Sequence, residues 1–396
     1  MRFHEIRKQI HWVGAVDWNI RNFHGYQTEE GTTYNAYLII DDKITLIDTV
    51  KGNLAEQMLF KISRIVDIDK IDYIVSNHSE MDHSGAIPKI LELAPNAQVI
   101  ATKQGQTNLR RHFGQDWNIR VVGTGDSVKI GRRTLSFIAT PLLHWPDSMF
   151  TYCPEERLLF SNDAFGQHIA SAERYDDELG WETTRRVAAK YYANIVTPFG
   201  GQVAKAIKAV ADKPCDLICP SHGVIIRQHV QDMVRSYSKW SRHETTGKAV
   251  IVYDSMWGAT ERLATMLQNG LEEEHIGVVM RNLRHNHISN IMTDVLEAKL
   301  ILLGSPTLNR GMLPTMGSFL TYMKGLHPKN RIGYVFGSYG WKGEAASQIS
   351  AELTSMHWDL PEECIDIKFQ PNDEELAKAF EAGKKLGRYL KEHMPS

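Results

Sequence analysis

One short run of residues constrains this chain more than any other. From residue 73 to residue 85 the sequence reads YIVSNHSEMDHSG, an apolar strand that leads into a loop rich in side chains able to bind metal. The four side chains are His78, Glu80, Asp82 and His83. Their alternating and then adjacent spacing on an extended loop can direct them to two different metal positions, and Gly85 is expected to open a helix.

Three further candidates occur in the same context, each just past the end of an apolar, strand-like run. His144 follows the run 135–139, Asp163 follows 158–161, and His222 follows 216–219. One rim of a sheet sandwich could bring all of these side chains together. If Asp163 bridges, each metal receives two histidines, one terminal carboxylate and half of the bridge, with open positions left for a small substrate.

The types of ligand bear on the identity of the metal. Zinc hydrolases favour sets rich in histidine or thiolate, whereas a mixed histidine and carboxylate set with open positions suits redox-active iron. Glu80 is therefore the informative residue, and the sequence favours iron over zinc.

A polar run, Ser241–Lys248, separates two regions of different character, and we interpret it as a linker. Before it, strand-like runs joined by short loops and tight turns suggest mixed sheets: 34–40, 44–47, 73–76, 98–101, 135–139, 158–161 and 216–219, with helices at 53–65 and 202–211. After it, strands at 249–253, 300–303 and 332–336 alternate with helices at 261–274, 315–323 and 344–354. That alternation predicts a parallel, doubly wound sheet with its site at the carboxyl ends of the strands.

The first strand of the second region ends in a loop that is suited to a phosphate. Residues 249–260 read AVIVYDSMWGAT, so a loop with hydroxyl groups and one glycine opens into the helix that begins at Glu261. Backbone N–H groups and the dipole at a helix N-terminus favour an anion. The loop lacks the Lys-Ser/Thr pair of a nucleotide-hydrolase P-loop and the three glycines of a dinucleotide fingerprint, so a mononucleotide fits best.

Two later strand ends, 304–309 and 337–341, complete the predicted pocket, because glycines admit a flat ring and Tyr339 or Trp341 can stack on it. The candidate cofactor-binding residues are Ser255, Met256, Trp257, Gly258, Ala259 and Thr260 in the first loop, Pro306, Thr307, Leu308 and Asn309 in the second, and Ser338, Tyr339, Gly340 and Trp341 in the third.

Composition limits the class of protein. A formal net charge of -2 gives no electrostatic reason to expect nucleic acid or an anionic membrane as partner. No stretch is apolar and long enough to span a bilayer, and the charged N-terminal segment does not look like a signal peptide. The four cysteines contain no C-x-x-C pair, so we expect a soluble protein of the reducing cytoplasm.

The segment His78-x-Glu80-x-Asp82-His83 resembles the metal loop of the metallo-β-lactamase superfamily, whose usual pattern is H-x-H-x-D-H. Glutamate at the second position marks the flavodiiron proteins. The resemblance extends in order along essentially the whole chain, through the segments HWPDSM (144–149), NDAFGQH (162–168), YYAN (191–194) and PSHG (220–223). By position it implies one iron bound by His78, Glu80, His144 and Asp163, and another bound by Asp82, His83, Asp163 and His222.

The resemblance also implies the architecture and the activity. The fold would be α/β, with a metallo-β-lactamase-like αββα sandwich (1–246) followed by a flavodoxin-like domain (247–396). The cofactors would be two irons and FMN. The reaction would reduce dioxygen to water, nitric oxide to nitrous oxide, or both. His24, His168, Tyr191 and Tyr192 are candidates to donate hydrogen bonds or protons near the metals, and we take His24, His168 and Tyr192 as the catalytic candidates; a structural role as buried, hydrogen-bonded core residues is the alternative for each.

Partners are implied in the same way. Because the chain has no paired C-x-x-C motifs of a fused rubredoxin, we expect a separate electron donor. A free rubredoxin is the first expectation and a reduced deazaflavin the second. A head-to-tail homodimer, or a dimer of such dimers, would place each flavin beside the irons of its partner.

Three other interpretations stay open on the sequence. A dinuclear zinc hydrolase fused to a flavodoxin-like carrier is the main alternative, and Glu80 argues against it. An electron carrier with a relic metal site is disfavoured by the full set of seven ligands. A thiol-based redox enzyme is disfavoured because Cys215 and Cys219 lie in an apolar, strand-like run, where core packing is the expected role.

Overall fold

The computed structural model describes residues 4–394, which divide into two compact units. The first unit runs to Tyr192 and resumes over Phe199–Ser241. The second unit comprises Ala193–Pro198 and the chain from Arg242 onward. The short segment Ala193–Pro198 therefore packs with the second unit although it lies far earlier in the sequence.

The first unit is a mixture of short strands and helices. Its strands are β1 (His4–Arg7), β2 (Ile10–Trp12), β3 (Ala15–Asp17), β4 (Asn22–Phe23), β5 (Tyr26–Gln27), β6 (Thr32–Tyr34), β7 (Tyr37–Ile39), β8 (Ile44–Ile47), β9 (Ile71–Val75), β10 (Gln98–Ala101), β11 (Ile119–Val121), β12 (Ser127–Lys129), β13 (Thr134–Ala139), β14 (Met149–Cys153), β15 (Leu158–Asn162) and β16 (Leu217–Pro220). Its helices are α1 (Ala55–Ser63), α2 (Met81–Ser84), α3 (Ile87–Leu93), α4 (Lys103–Phe113), α5 (Asp176–Leu179), α6 (Trp181–Tyr191), α7 (Gly200–Val210) and α8 (Val230–Ser241).

Within residues 4–394, two large sheets face each other in the first unit. The seven-stranded sheet has the order β1-β2-β7-β8-β9-β10-β11, and the five-stranded sheet has the order β12-β13-β14-β15-β16. Both are mixed: β7 and β8 are antiparallel whereas β8, β9 and β10 are parallel, and β15 and β16 form a parallel pair beside antiparallel neighbours.

Alternation along the strands explains the layers. Ile47 and Val75 point into an apolar core shared with Phe137 and Phe160 of the opposite sheet. Their neighbours in sequence, such as Leu46 and Ile74, point to the other face and pack under α1 and α3. Because side chains of a strand alternate between faces, one apolar run can supply both cores. The predicted sandwich is confirmed.

The second unit has one principal sheet. Its strands are β17 (Thr246–Tyr253), β18 (Gly277–Asn282), β19 (Ala298–Leu308), β20 (Gly311–Met312), β21 (Ile332–Tyr339) and β22 (Ile365–Lys368). Its helices are α9 (Ala259–Glu273), α10 (Ile288–Glu297), α11 (Pro314–Leu326), α12 (Ala345–Ser355) and α13 (Asp373–Glu392). The parallel order β18-β17-β19-β21-β22 is that of a flavodoxin-like doubly wound sheet, as predicted.

Several local predictions were wrong. In the first unit the predicted strand 34–40 forms two strands, β6 and β7. The linker was expected to reach Lys248, but β17 begins at Thr246, because the polar residues there still pair through their backbone with Ala298. The second strand of this region was expected to end at Leu303, but β19 continues to Leu308. The third was expected to end at Phe336, but β21 continues to Tyr339, since residues 304–306 pair in register with 336–338.

No helix within residues 4–394 combines the length and the apolar character that crossing a membrane requires. The domain boundary predicted between residues 246 and 247 stays a prediction.

Candidate metal centre and flavin cavity

The ends of four strands carry the predicted metal ligands of the first unit. β9 ends at Val75 before His78, β13 at Ala139 before His144, β15 at Asn162 before Asp163, and β16 at Pro220 before His222. Since β13, β14, β15 and β16 are successive neighbours in one sheet, their ends place the side chains along one rim.

The run from His78 to His83 differs from the expected extended loop. Asp82 and His83 lie in the short helix α2, which Glu80 precedes. The Ser84 hydroxyl closes this turn by donating to the carbonyl oxygens of Ser79 (2.8 Å) and Glu80 (3.0 Å). A helical turn, rather than strand alternation, therefore separates the ligands into two groups.

The first group surrounds one point with four side chains: His78, Glu80, His144 and Asp163. Glu80 Oε2 lies 3.3 Å from His78 Nε2 and 3.5 Å from His144 Nε2. Asp163 Oδ2 lies 3.4 Å from His144 Nε2 and 3.7 Å from His78 Nε2.

The second group contains Asp82, His83 and His222, and it shares Asp163. Asp82 approaches His222 Nε2 at 3.2 Å and His83 Nε2 at 3.4 Å. Asp163 Oδ1 lies 3.1 Å from His83 Nε2 and 3.5 Å from His222 Nε2. Asp163 therefore turns one carboxylate oxygen to each group, which is the arrangement of a bridging ligand.

The donor atoms fit two metal ions. Metal–ligand bonds of about 2.1 Å place neighbouring donors roughly 3.0 to 3.5 Å apart, close to the separations seen here. The carboxylate oxygens of Asp82 and Asp163 and both ring nitrogens of His83 are buried and have no hydrogen-bond partner among the described residues. Buried polar atoms without partners are costly, and bound cations would satisfy them.

The electrostatics of the two groups favour positive charge. Burial lowers the pKa of His78, but hydrogen bonds to Asp147 and Glu80 outweigh it and raise that pKa to about 10. Burial likewise opposes the charge of Glu80, yet His144 and His78 lower its pKa to about 2. The carboxylates thus remain ionised, and the field they create suits metal cations.

Two residues outside the ligand set orient the histidines. Asp147 lies 3.2 Å from His78 Nδ1 and also accepts a hydrogen bond of 2.6 Å from the Ser79 backbone. His222 Nδ1 lies 2.7 Å from the carbonyl oxygen of Thr33, to which it donates. Each contact leaves Nε2 facing the centre, as metal-binding histidines require. Sequence reasoning missed both roles.

The three candidate catalytic residues lie in different surroundings. His24 Nε2 is 3.7 Å from Glu80 Oε1, and its side chain is 77% exposed. His168 is buried, its Nδ1 is 2.8 Å from Thr32 Oγ1, and its ring lies 4.7 Å from that of His222. Burial and the neighbouring His222 hold the pKa of His168 well below its usual value, so its ring is neutral.

Tyr192 is not brought to the ligands in this way. Its ring packs 5.0 Å from Tyr237 and 5.2 Å from Trp240. The preceding residue, Tyr191, lies 5.0 Å from His168 and 6.0 Å from His222. Adjacent residues of a helix point in different directions, so the structure places Tyr191 rather than Tyr192 beside the metal groups.

The second unit has a cavity of about 860 Å³ at the carboxyl ends of its strands. The predicted residues among its lining are Met256, Trp257, Ala259, Pro306, Thr307, Leu308, Asn309, Ser338, Tyr339, Gly340 and Trp341. Ser255, Gly258 and Thr260 support the wall: Ser255 Oγ accepts from the Gly258 backbone (3.1 Å), and the Thr260 and Ser338 hydroxyls lie 3.2 Å apart.

Five further residues line this cavity that sequence reasoning missed: Arg310, Lys342, Glu344, Phe369 and Gln370. They follow the glycine-bearing loops or lie just beyond β22, in segments without a local signal. Gln370 is tied to the first loop through a hydrogen bond of 2.9 Å from its side-chain amide to the Trp257 carbonyl oxygen.

The cavity fits a planar ring joined to a phosphate. Trp257 and Trp341 line it although they are 87% and 91% exposed, so broad aromatic faces are available to cover a flat ring. Helix α9 begins at Ala259, directly after Gly258 with φ +82°, and its first N–H groups are directed at the loop. Both features suit a flavin mononucleotide.

Comparisons with known proteins cover both units. A family model described as ODP family beta lactamase matches residues 32–223, and a flavodoxin model matches residues 251–383. The chain is 43% identical over 383 residues to a nitric oxide reductase of Moorella thermoacetica, an alignment that covers 95% of this chain and 96% of that protein.

Solved structures are similar over the same extent. Rubredoxin oxygen:oxidoreductase from the anaerobe Desulfovibrio gigas has a TM-score of 0.97 and 40% identity, with 99% of each chain covered. The flavodiiron protein from Giardia intestinalis has a TM-score of 0.97 and 36% identity, with 100% of this chain and 99% of that chain covered.

Proposed function

This chain belongs to the flavodiiron protein family, and from that premise we propose that it reduces dioxygen to water, nitric oxide to nitrous oxide, or both, with electrons that pass through FMN. It is an oxidoreductase with a flavodoxin-like FMN domain and a diiron centre. The observation that carries the proposal is Asp163, whose two oxygens face two separate ligand groups.

We assign the seven predicted side chains as the iron ligands and the lining of the cavity as the FMN site. When bound, FMN would exchange one or two electrons, and each iron would exchange one. Open positions on two adjacent metals would bring together two small molecules, or the two atoms of one molecule. The protein supplies the geometry. Asp147 and the Thr33 carbonyl oxygen fix the ring orientation of His78 and His222, and the aromatic lining of the cavity would hold the flavin ring.

Protons needed by either reaction have a route from solvent. His24 is mostly exposed, and its Nε2 atom lies 3.7 Å from Glu80 Oε1, so its imidazole can carry a proton between water and the edge of the first group. His168 is neutral and buried, and its contact with Thr32 holds its ring against His222. We assign His24 to proton delivery and His168 to positioning.

A dinuclear zinc hydrolase is the weaker alternative. With Glu80, the proposed ligand set of the two ions includes three carboxylates, and such a set suits iron better than zinc. A hydrolase also has no use for the flavodoxin-like unit.

We propose that a separate protein such as rubredoxin delivers electrons, with a reduced deazaflavin as the second candidate donor. We also propose a head-to-tail homodimer, alone or as a dimer of dimers, in which the flavin of one subunit serves the irons of its partner. A location in the cytoplasm agrees with the four free thiols. A fully active monomer in equilibrium sedimentation would contradict the dimer.

One experiment tests the proposed function most directly. Protein loaded with iron and FMN is reduced without oxygen and then mixed with dioxygen or with nitric oxide, and consumption of each gas is followed. We expect turnover with at least one gas and iron in both groups. Active protein that contains zinc and consumes neither gas would overturn the proposal.

The matched variant is Glu80→Gln, which keeps the shape of the side chain but removes the negative charge of a ligand. We expect iron content and turnover to fall together, by about tenfold or more, because a neutral amide is a poor ligand for iron. Unchanged iron with full turnover would disprove the assignment of Glu80.

A further inference from the structure

A cluster of four buried aromatic residues borders the metal groups on the side of His222. We call it the aromatic cluster, and it consists of Tyr191, Tyr192, Tyr237 and Trp240. Every member belongs to the first unit and is at most 2% exposed. Tyrosine and tryptophan are the side chains that give up a single electron to a strong oxidant most readily while remaining in place.

The inner end of the cluster adjoins the proposed ligands. The Tyr191 ring lies 6.0 Å from the ring of His222, and its Cζ atom is 3.4 Å from the position that a Cβ atom would occupy on Gly166. Gly166 follows the bridging Asp163 by three residues. Tyr237 approaches the same loop, because its ring lies 4.5 Å from that of Phe165.

Three of the members are in mutual contact. The ring centres of Tyr237 and Tyr192 are 5.0 Å apart, those of Tyr192 and Trp240 are 5.2 Å apart, and those of Tyr237 and Trp240 are 5.5 Å apart. Tyr191 adjoins these three because it directly precedes Tyr192 and lies against Gly166, the residue after the Phe165 that Tyr237 contacts. An electron can therefore pass between rings in short steps.

The outer end of the cluster is Trp240, which is buried. The guanidinium of Arg185, a partly exposed side chain, lies 5.8 Å from the centre of the Trp240 ring. The cluster thus leads from the side of the metal groups to a tryptophan beside a partly exposed arginine.

We propose that the aromatic cluster is a one-electron relay that protects the metal centre when dioxygen arrives and the flavin cannot supply electrons. The proposal rests on the dioxygen branch of the proposed function. Reduction of dioxygen to water takes four electrons, of which two reduced irons supply two and reduced FMN supplies two. With oxidised FMN, two electrons are missing, and oxidisable side chains near the metal centre can supply them.

Each dioxygen molecule requires two passages along the relay, one for each missing electron. In each passage Tyr191 gives one electron and its phenolic proton towards the metal centre and receives an electron and a proton from its neighbours in turn. The missing electron is finally supplied by Trp240. Trp240 also loses its indole N–H proton, because the positive charge of Arg185 disfavours a cationic radical. A low-molecular-weight thiol returns an electron and a proton to Trp240 after each passage, and the two resulting thiyl radicals join as a disulfide. Without thiol, the first passage leaves a neutral radical on Trp240, to whose ring dioxygen adds, and the second passage leaves a radical on a tyrosine of the cluster.

The test uses the iron- and FMN-loaded protein with its irons reduced and its flavin oxidised. It is mixed with dioxygen in the absence of thiol, frozen for electron paramagnetic resonance, and later digested for mass spectrometry. We expect an organic radical signal, followed by oxygen adducts concentrated on Trp240. Absence of the radical, or adducts spread equally over other tryptophans, would overturn the relay.

The deciding variant is Tyr237→Phe, which removes only a hydroxyl and leaves the ring packing in place. We expect Trp240 adducts to fall several-fold and adducts on the metal-ligand peptides to rise. The matched control is Tyr334→Phe, a buried tyrosine of the second unit, which should leave both unchanged. Equal adducts on Trp240 in wild type and Tyr237→Phe would contradict the proposal.

A second variant, Trp240→Phe, removes the end of the relay. We expect the radical to persist on tyrosine, and the iron content to decline several-fold faster over repeated exposures. Wild-type protein that consumes no dioxygen with excess reductant would contradict both the dioxygen branch and the relay. Consumption with excess reductant, but no radical when electrons are short, would contradict the relay alone.

Discussion

At the residue scale, the proposed ligand His78 depends on Asp147, which lies 3.2 Å from its Nδ1 atom and accepts a hydrogen bond from the Ser79 backbone. Asp147→Asn keeps the shape of the side chain but removes its negative charge. Partners of this kind typically change metal affinity by about 10- to 100-fold, so we expect weaker iron binding in the first group. Iron retained after dialysis against a chelator measures the effect.

The control for that prediction is Asp116→Asn, whose carboxylate is 86% exposed and far from any ligand in sequence. It should retain as much iron as the wild type. Equal retention in Asp147→Asn and Asp116→Asn would show that Asp147 does not support His78.

Some residues of the candidate site could be predicted from the sequence, and others could not. The grouping of the seven proposed ligands was predictable because they follow the ends of apolar strands: four follow β9 of the seven-stranded sheet, and three follow strands of the five-stranded sheet packed against it. The supporting contact of His222 with Thr33 was not predictable, because 189 residues separate the two and neither has a local signal for it. Tyr191 was not distinguished from Tyr192, because only helix packing decides which of two adjacent tyrosines faces the centre.

At the scale of elements, the loop between β17 and α9 depends on Gly258, whose φ of +82° is in the left-handed region. An alanine there costs about 1 to 2 kcal/mol of strain. We expect Gly258→Ala to shift the first turn of α9 and weaken FMN binding by about tenfold, the equivalent of that strain. Titration of the apoprotein with FMN, followed by quenching of flavin fluorescence, measures the change.

Gly317→Ala provides the control within the same unit. Gly317 lies in α11, and a Cβ atom there meets nothing within 4 Å. Its FMN affinity should match that of the wild type. If Gly258→Ala binds FMN equally well, the left-handed glycine is not what shapes the phosphate loop.

Helices α9 and α13 make close contact through two glycines. A Cβ atom on Gly383 would lie 2.4 Å from the Leu267 carbonyl oxygen, and one on Gly270 would lie 2.1 Å from the Phe380 carbonyl oxygen. Backbone atoms cannot move aside cheaply, so we expect Gly383→Val to lower the free energy of unfolding by about 1 to 3 kcal/mol. Denaturant unfolding checks this, and Gly325→Ala, which has open space, is the control.

The lengths of elements were harder to predict than their order. The three strands and three helices predicted for the second unit occur in the predicted order, because apolar runs alternate with amphipathic ones, but β18, α10, β20, β22 and α13 were not predicted. The extension of β19 to Leu308 was not predicted either, because Gly304, Ser305 and Pro306 are typical of loops and are held in the strand by pairing with β21. Tertiary pairing thus overrode local preference at the cavity wall.

At the scale of the whole molecule, the two-unit organisation was predictable from the change of pattern after Ser241. The assignment of Ala193–Pro198 to the second unit was not. Asn194 explains it: its amide donates to the Ser289 carbonyl oxygen (3.0 Å) and accepts from the Tyr322 hydroxyl (2.9 Å). Nothing local to Asn194 announces partners about a hundred residues away, so only the folded chain reveals them.

In the proposed head-to-tail dimer, electrons pass from the flavin of one subunit to the irons of the other. Two variants that each lack one cofactor can test this route. Asp163→Asn removes the carboxylate that we propose as the bridge, and we expect that subunit to lose iron and keep FMN. Gly258→Val strains the phosphate loop further than alanine, and we expect that subunit to keep iron and lose FMN. Neither homodimer should turn over, because each lacks one of the two cofactors.

A head-to-tail heterodimer of the two variants contains one intact flavin opposite one intact iron pair, and it turns over only if electrons cross between subunits. Because a two-fold dimer has two equivalent crossings, the purified heterodimer should recover about half of the wild-type turnover. Two different affinity tags isolate it, and gas consumption with a reduced donor measures it. If electrons stayed within a subunit, no arrangement of these two chains would be active, so a verified heterodimer without turnover would exclude transfer between partners.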